Sequence, residues 1–133
     1  MTTQPLAVLV EDSPTQAIEV AATLKVHGFA VLTAQDGIEG LDMVYQHRPA
    51  LVVLDVQLPK MNGYQVCHRL KRDPATASIP VIMLTVADSS EETFAGLQAG
   101  ADDYIPKDMF AADNLTSALK SLKTRKDGQH GDK

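Results

Sequence analysis

The chain has no tryptophan, a single cysteine (Cys67), few aromatic residues (5%) and no apolar run long enough to cross a bilayer. One cysteine cannot close an internal disulfide. With no signal-peptide pattern either, the composition is that expected of a soluble protein in the reducing cytoplasm, with no membrane insertion. Basic charge is also scarce: 12 Lys and Arg stand against 17 Asp and Glu, a formal net charge of -5. That balance argues against direct nucleic-acid binding and turns attention to proteins and small ions as partners. What the chain does have is apolar character, 44% of 133 residues. This suffices for one domain with its own core, expected over 1–124, and leaves no room for a second. The polar stretch 125–133 is expected to be a flexible tail.

Short apolar runs alternate with amphipathic stretches. PLAVLV, FAVLTA, ALVVLD, IPVIMLT and the shorter DDYIP read as strands. Ser13-Pro14-Thr15-Gln16 opens a helix with a capping-box pattern and proline at its first position, and Gly28 ends it after His27. Asn62 to Gln65 and Ser89 to Glu92 repeat that capping logic for two later helices. The last helix places Leu115, Ala118, Leu119 and Leu122 on one face, the spacing of a helix laid against a sheet. Five βα units with near-continuous apolar strands predict an α/β fold, a doubly wound parallel sheet of five strands flanked by five helices.

In such folds ligands gather at the carboxyl ends of the strands. The first strand ends VLVEDSP, delivering Glu11 and Asp12, and the third ends in Asp55. If these strands are neighbours, as the flavodoxin-like order 2-1-3-4-5 makes them, three carboxylates converge. They then either raise one another's pKa or recruit a cation, and oxygen ligands with open positions for water suit Mg²⁺, the Gln57 backbone carbonyl completing the shell. Thr85 ends the fourth strand and Lys107 follows the fifth, adding a hydroxyl and an ammonium. An acidic nucleophile, a divalent metal, a hydroxyl and an ammonium together suit acceptance of a phosphoryl group, a transfer governed by positioning and charge neutralisation. Asp55 is the expected nucleophile. Taken singly, an Asp after a strand is more often a turn or helix cap, Thr85 a cap and Lys107 a solvated charge; their joint placement carries the functional reading.

From Leu6 to Leu122 the chain resembles a response-regulator receiver domain, the phosphoacceptor of two-component signalling, in Glu11-Asp12, Asp55, LPKMNG, Thr85, GADDY and Lys107. The resemblance implies that Asp55 takes a phosphoryl group from the histidine of a sensor kinase or a phosphotransfer protein. Glu11 and Asp12 would hold Mg²⁺, while Thr85 and Lys107 would contact the phosphoryl oxygens. It also implies a switch: Thr85 moves inward, Tyr104 turns into the vacated space, and the face of the fourth helix, fifth strand and fifth helix, from about Ala87 to Lys123, changes toward a protein target. The chain would participate in its own phosphorylation and dephosphorylation without being an enzyme. With no effector domain after Lys133, a stand-alone receiver or relay component is expected, a homodimer being left open.

Three departures from the family pattern stand out. Proline precedes the lysine, in Ile105-Pro106-Lys107-Asp108, where relatives place it after. A cis Lys107–Asp108 bond without proline would cost about 3 kcal/mol, so a different loop shape is expected, with Pro106 ending an edge strand. Val86 follows Thr85 where relatives carry a smaller residue, and Gln57 and Ala87 stand where phosphoryl lifetime is influenced. The competing classes are weaker. Haloacid-dehalogenase phosphatases need an aspartate two residues after the nucleophile, where Gln57 stands, and a nucleotide-binding relative needs a phosphate loop where Glu11 and Asp12 repel phosphate. A receiver-fold interaction module that binds partners independently of phosphorylation is the remaining alternative.

Overall fold

The computed structural model describes residues 4–85 and 99–131, with side chains as far as 122. Five strands, β1 (Leu6–Val10), β2 (Ala30–Ala34), β3 (Leu51–Asp55), β4 (Val81–Thr85) and β5 (Asp103–Pro106), form one parallel sheet in the order β2-β1-β3-β4-β5. Among the described residues the helices are α1 (Pro14–Val26), α2 (Gly37–His47), α3 (Gly63–Arg72) and α4 (Ala111–Gly131). The further helix expected from the Ser89–Glu92 pattern lies outside the described residues, as do Val86 and Ala87.

The near-continuous apolar strands are explained by burial on both faces. Successive side chains of a strand alternate between faces. Val8, Val10, Val52, Leu54, Val81 and Met83 pack with Val44 of α2 and Val66, Cys67 and Leu70 of α3. Their sequence neighbours Ala7, Leu9, Val53, Ile82 and Leu84 pack on the other face with Leu24 of α1 and Leu115, Ala118 and Leu119 of α4. β3 and β4 are buried throughout, whereas β2 and β5, at the edges, are only partly covered. Pro106 ends β5, opposite Thr85.

The helix starts follow their capping residues. Asn62 and Gln65 form a complete capping box at α3, each side chain accepting from the other's backbone N–H. At α1 only half of that pattern is realised: Ser13 Oγ accepts from Gln16 N at 3.4 Å, but the Ser13 N–H donates to Glu11 Oε2 at 3.1 Å. α4 continues through 125–131, the stretch read from sequence as a tail. Lys, Arg and Gln are good helix formers, and no proline interrupts them there. No helix among the described residues is long and apolar enough to cross a membrane.

Candidate functional site

The pairing of β1 with β3, Val10 opposite Leu54, carries Glu11 and Asp12 past the end of one strand to Asp55 at the end of the next. Glu11 is still held by the sheet, its N–H donating to Ala34 O at 2.9 Å. Glu11 is 2% exposed and Asp55 5%, so two of the three carboxylates are taken from water, while Asp12 stands exposed beside them. One oxygen from each of the three lies within 4.8 Å of the others. Oxygen donors so gathered fit a hard divalent cation, because their mutual repulsion falls when one is bound. Gln57 donates its backbone N–H to Asp55 Oδ1 at 3.2 Å, which puts its main chain against the same carboxylate.

Lys107 supplies the counter-charge. Its Nζ lies 2.7 Å from Glu11 Oε1 and 2.9 Å from Asp55 Oδ2, and it donates to Gln16 Oε1 at 2.6 Å. Its backbone N–H donates to Thr85 O at 2.6 Å, a bond that ties the residue after β5 to the end of β4. None of the described peptide bonds is cis, so Lys107–Asp108 is trans, and the lysine reaches both carboxylates from a loop in which proline precedes it. Burial pushes the Glu11 carboxyl above its ordinary range, against the opposing pull of Lys107 and the Ser13 N–H. Burial disfavours the Lys107 charge, but the hydrogen bonds and attraction of Glu11 and Asp55 outweigh it, and its pKa rises.

Thr85 is 1% exposed at the end of β4. Tyr104, opposite Met83 in β5, packs against the α2–α3 side of the core, and its buried hydroxyl has no hydrogen-bond partner among the described residues. The β3–α3 loop is held tightly to the site. Gly63 donates its N–H to Val56 O at 2.9 Å, and a Cβ at Gly63 would fall on Asp55 O. Asp36, the N-cap of α2, pairs with Lys60 at 3.5 Å. Every sequence-predicted site residue among Glu11, Asp12, Asp55, Gln57 and Lys107 is thus brought to one place. Gln16, a member of the same cluster by contact, was read only as a capping residue. Nothing in its sequence neighbourhood signals a partner in the last third of the chain.

The family described as the response regulator receiver domain matches residues 7–120. Response regulator MprA of Mycobacterium sp. (strain KMS) is 39% identical over 96% of the chain and 54% of its own length; the chain spans about half the length of the curated relatives it matches. Among solved structures, the receiver domain of a signal transduction histidine kinase from Syntrophus aciditrophicus superposes with a TM-score of 0.81 at 36% identity, covering 89% of each chain. The receiver domain of a sensor histidine kinase from Pseudomonas aeruginosa PAO1, with magnesium coordinated in its active-site cleft, gives a TM-score of 0.80 at 27% identity, over 90% of this chain and 97% of that one. Sheet order, the carboxylate cluster at the ends of β1 and β3, and these matches lead to one conclusion: the chain belongs to the response-regulator receiver domain family.

Proposed function

We propose that Asp55 is the phosphoacceptor of this receiver, taking the phosphoryl group from a histidine of a sensor kinase or phosphotransfer protein. The observation that carries this reading is the Lys107 ammonium shared between Glu11 and Asp55 within a cluster of three carboxylates. An Asp55 oxygen forms the new O–P bond as the donor's P–N bond breaks, and the electron pair leaves with the imidazole. Lys107 draws a phosphoryl oxygen toward the carboxylate it already contacts, and the hydroxyl of Thr85, at the end of the neighbouring strand, would donate to another. Glu11, Asp12, Asp55 and the Gln57 carbonyl would hold Mg²⁺, which neutralises the phosphoryl charge when bound.

The Tyr104 hydroxyl supports a switching role for that residue. A buried hydroxyl without a partner among the described residues, at a cost of about 1–3 kcal/mol, favours a ring that can be biased toward another position. β5 and α4 belong to the proposed face for a protein target, whose remaining part, over 86–98, lies outside the described residues. A groove of about 490 Å³ between α1 and the start of α4, lined by Gln16, Val20, Lys107, Met109 and Leu115, supports approach of the donor from that side.

Intact-mass spectrometry after incubation with acetyl phosphate tests the reading. A single phosphoryl adduct is expected that requires Mg²⁺ and is absent from Asp55→Asn. An adduct retained by the variant would overturn the assignment, and no adduct even from a kinase would favour the interaction module that binds without phosphorylation.

A further inference from the structure

Two helices of this chain carry the same capping pattern, with Gln at the third helical position, and they use that Gln differently. At α3, Gln65 Oε1 turns back to the Asn62 N–H at 3.0 Å. At α1 the corresponding donor, the Ser13 N–H, is taken by Glu11 Oε2. Gln16 is thereby released from the capping role, and its Oε1 accepts from Lys107 Nζ at 2.6 Å. Lysine only donates, so the Gln16 atom facing it is the amide oxygen.

The Lys107 ammonium donates to Glu11 Oε1 and Gln16 Oε1 and forms an ion pair with Asp55 Oδ2 at 2.9 Å, three contacts for its three N–H groups. The Lys107 side chain is 13% exposed, leaving little room for water to replace a lost acceptor. We infer that Gln16 is a positioning residue that anchors the Lys107 ammonium over Asp55 during phosphoryl transfer. The inference rests on the reading of Asp55 as phosphoacceptor. When the Asp55 carboxylate becomes an acyl phosphate, the third N–H of the ammonium can turn to a phosphoryl oxygen. The bonds to Glu11 and Gln16 stay in place, so the ammonium pivots on two fixed points. A neutral acceptor suits this position, because a further carboxylate would pull the ammonium toward α1 and repel the anionic donor.

The test uses the full chain with acetyl phosphate and Mg²⁺, on wild type, Gln16→Leu, Gln16→Asn and Gln16→Glu, each with its thermal melt. Solvent exchange of the Lys107 ammonium protons, read by NMR before phosphorylation, reports the anchor directly. Gln16→Leu is expected to exchange these protons faster and to slow phosphorylation by roughly tenfold, the scale of a small misplacement of a reacting group. Gln16→Asn, one methylene short, should fall between, whereas Gln16→Glu retains an oxygen at the same reach and should keep the ammonium protected. Wild-type exchange or a wild-type rate in both Gln16→Leu and Gln16→Asn overturns the inference. If the wild type itself takes no phosphoryl group, the Asp55 reading fails instead, and ammonium exchange in the unmodified protein still decides whether Gln16 holds Lys107.

Discussion

Cys67 lies fully buried in α3, where its thiol donates to Ala99 O at 3.4 Å, and burial pushes its pKa up to about 11 from 9.0. Between those values the folded state keeps a proton that the unfolded chain releases, so stability falls as pH rises across that window and is intact below it. At about 1.4 kcal/mol per unit the loss amounts to about 2–3 kcal/mol. Urea denaturation at pH 8 and pH 11 should show wild type losing that much more than Cys67→Ala; equal losses would contradict it. Comparison with the variant is needed because Lys107 and Tyr45, also raised, lose stability in the same direction at high pH. Near neutral pH the native thiol should resist iodoacetamide, since the thiolate is the nucleophile. The sequence excludes an internal disulfide for Cys67, but its burial is set by the packing of α3 on the sheet. His27, read from the sequence as the end of the first helix, is half-buried and pairs its Nε2 with Thr116 Oγ1 of α4 at 3.2 Å, a contact between helices distant in sequence that no local pattern signals.

The start of α3 shows how an element sets the site. Its capping box was legible in Asn62-Gly63-Tyr64-Gln65, because caps depend on neighbours a few residues apart. The role of Gly63 was not: its lack of a side chain matters because Asp55 O occupies the space a Cβ would need. Gly63→Ala should displace the β3–α3 loop, destabilise the fold by about 1–3 kcal/mol in urea denaturation, and weaken Mg²⁺ binding measured by calorimetry. Unchanged Mg²⁺ affinity would show that this loop does not position the cation ligands. Similarly, GADDY entered only as a motif of the family resemblance and DDYIP as a strand, whereas in the fold Asp102 Oδ2 accepts from Val81 N at 2.8 Å and from Lys71 Nζ at 2.9 Å. Lys71 also donates to Ile79 O at 2.7 Å, so one lysine joins the end of α3 to the approaches of β4 and β5.

For the whole molecule, the carboxylate cluster is a concentration of negative charge in a chain already at -5, and its repulsion opposes folding. A cation that binds only the folded state offsets this. Mg²⁺ at a hundredfold excess over its Kd should stabilise the protein by about 2.7 kcal/mol, seen as a raised Tm that EDTA reverses and Asp12→Asn largely abolishes. A Tm indifferent to Mg²⁺ would contradict cation binding at the cluster. The sequence by itself determined the alternation of strands and helices, the helix starts and the set of acidic and basic candidates, because periodicity, capping and strand ends are local properties of the chain. Only the tertiary structure decided which of these meet. Lys107 and Glu11 are 96 residues apart, and Lys107 and Gln16 are 91 apart. Their contact exists because the sheet order sets β1 beside β3, β3 beside β4 and β4 beside β5, while α1 packs against α4 on one face of that sheet. The loss of the Gln16 cap is local, since a Glu11 oxygen two residues back takes the Ser13 N–H, but the partner of the freed amide, the lysine, is set by the tertiary fold.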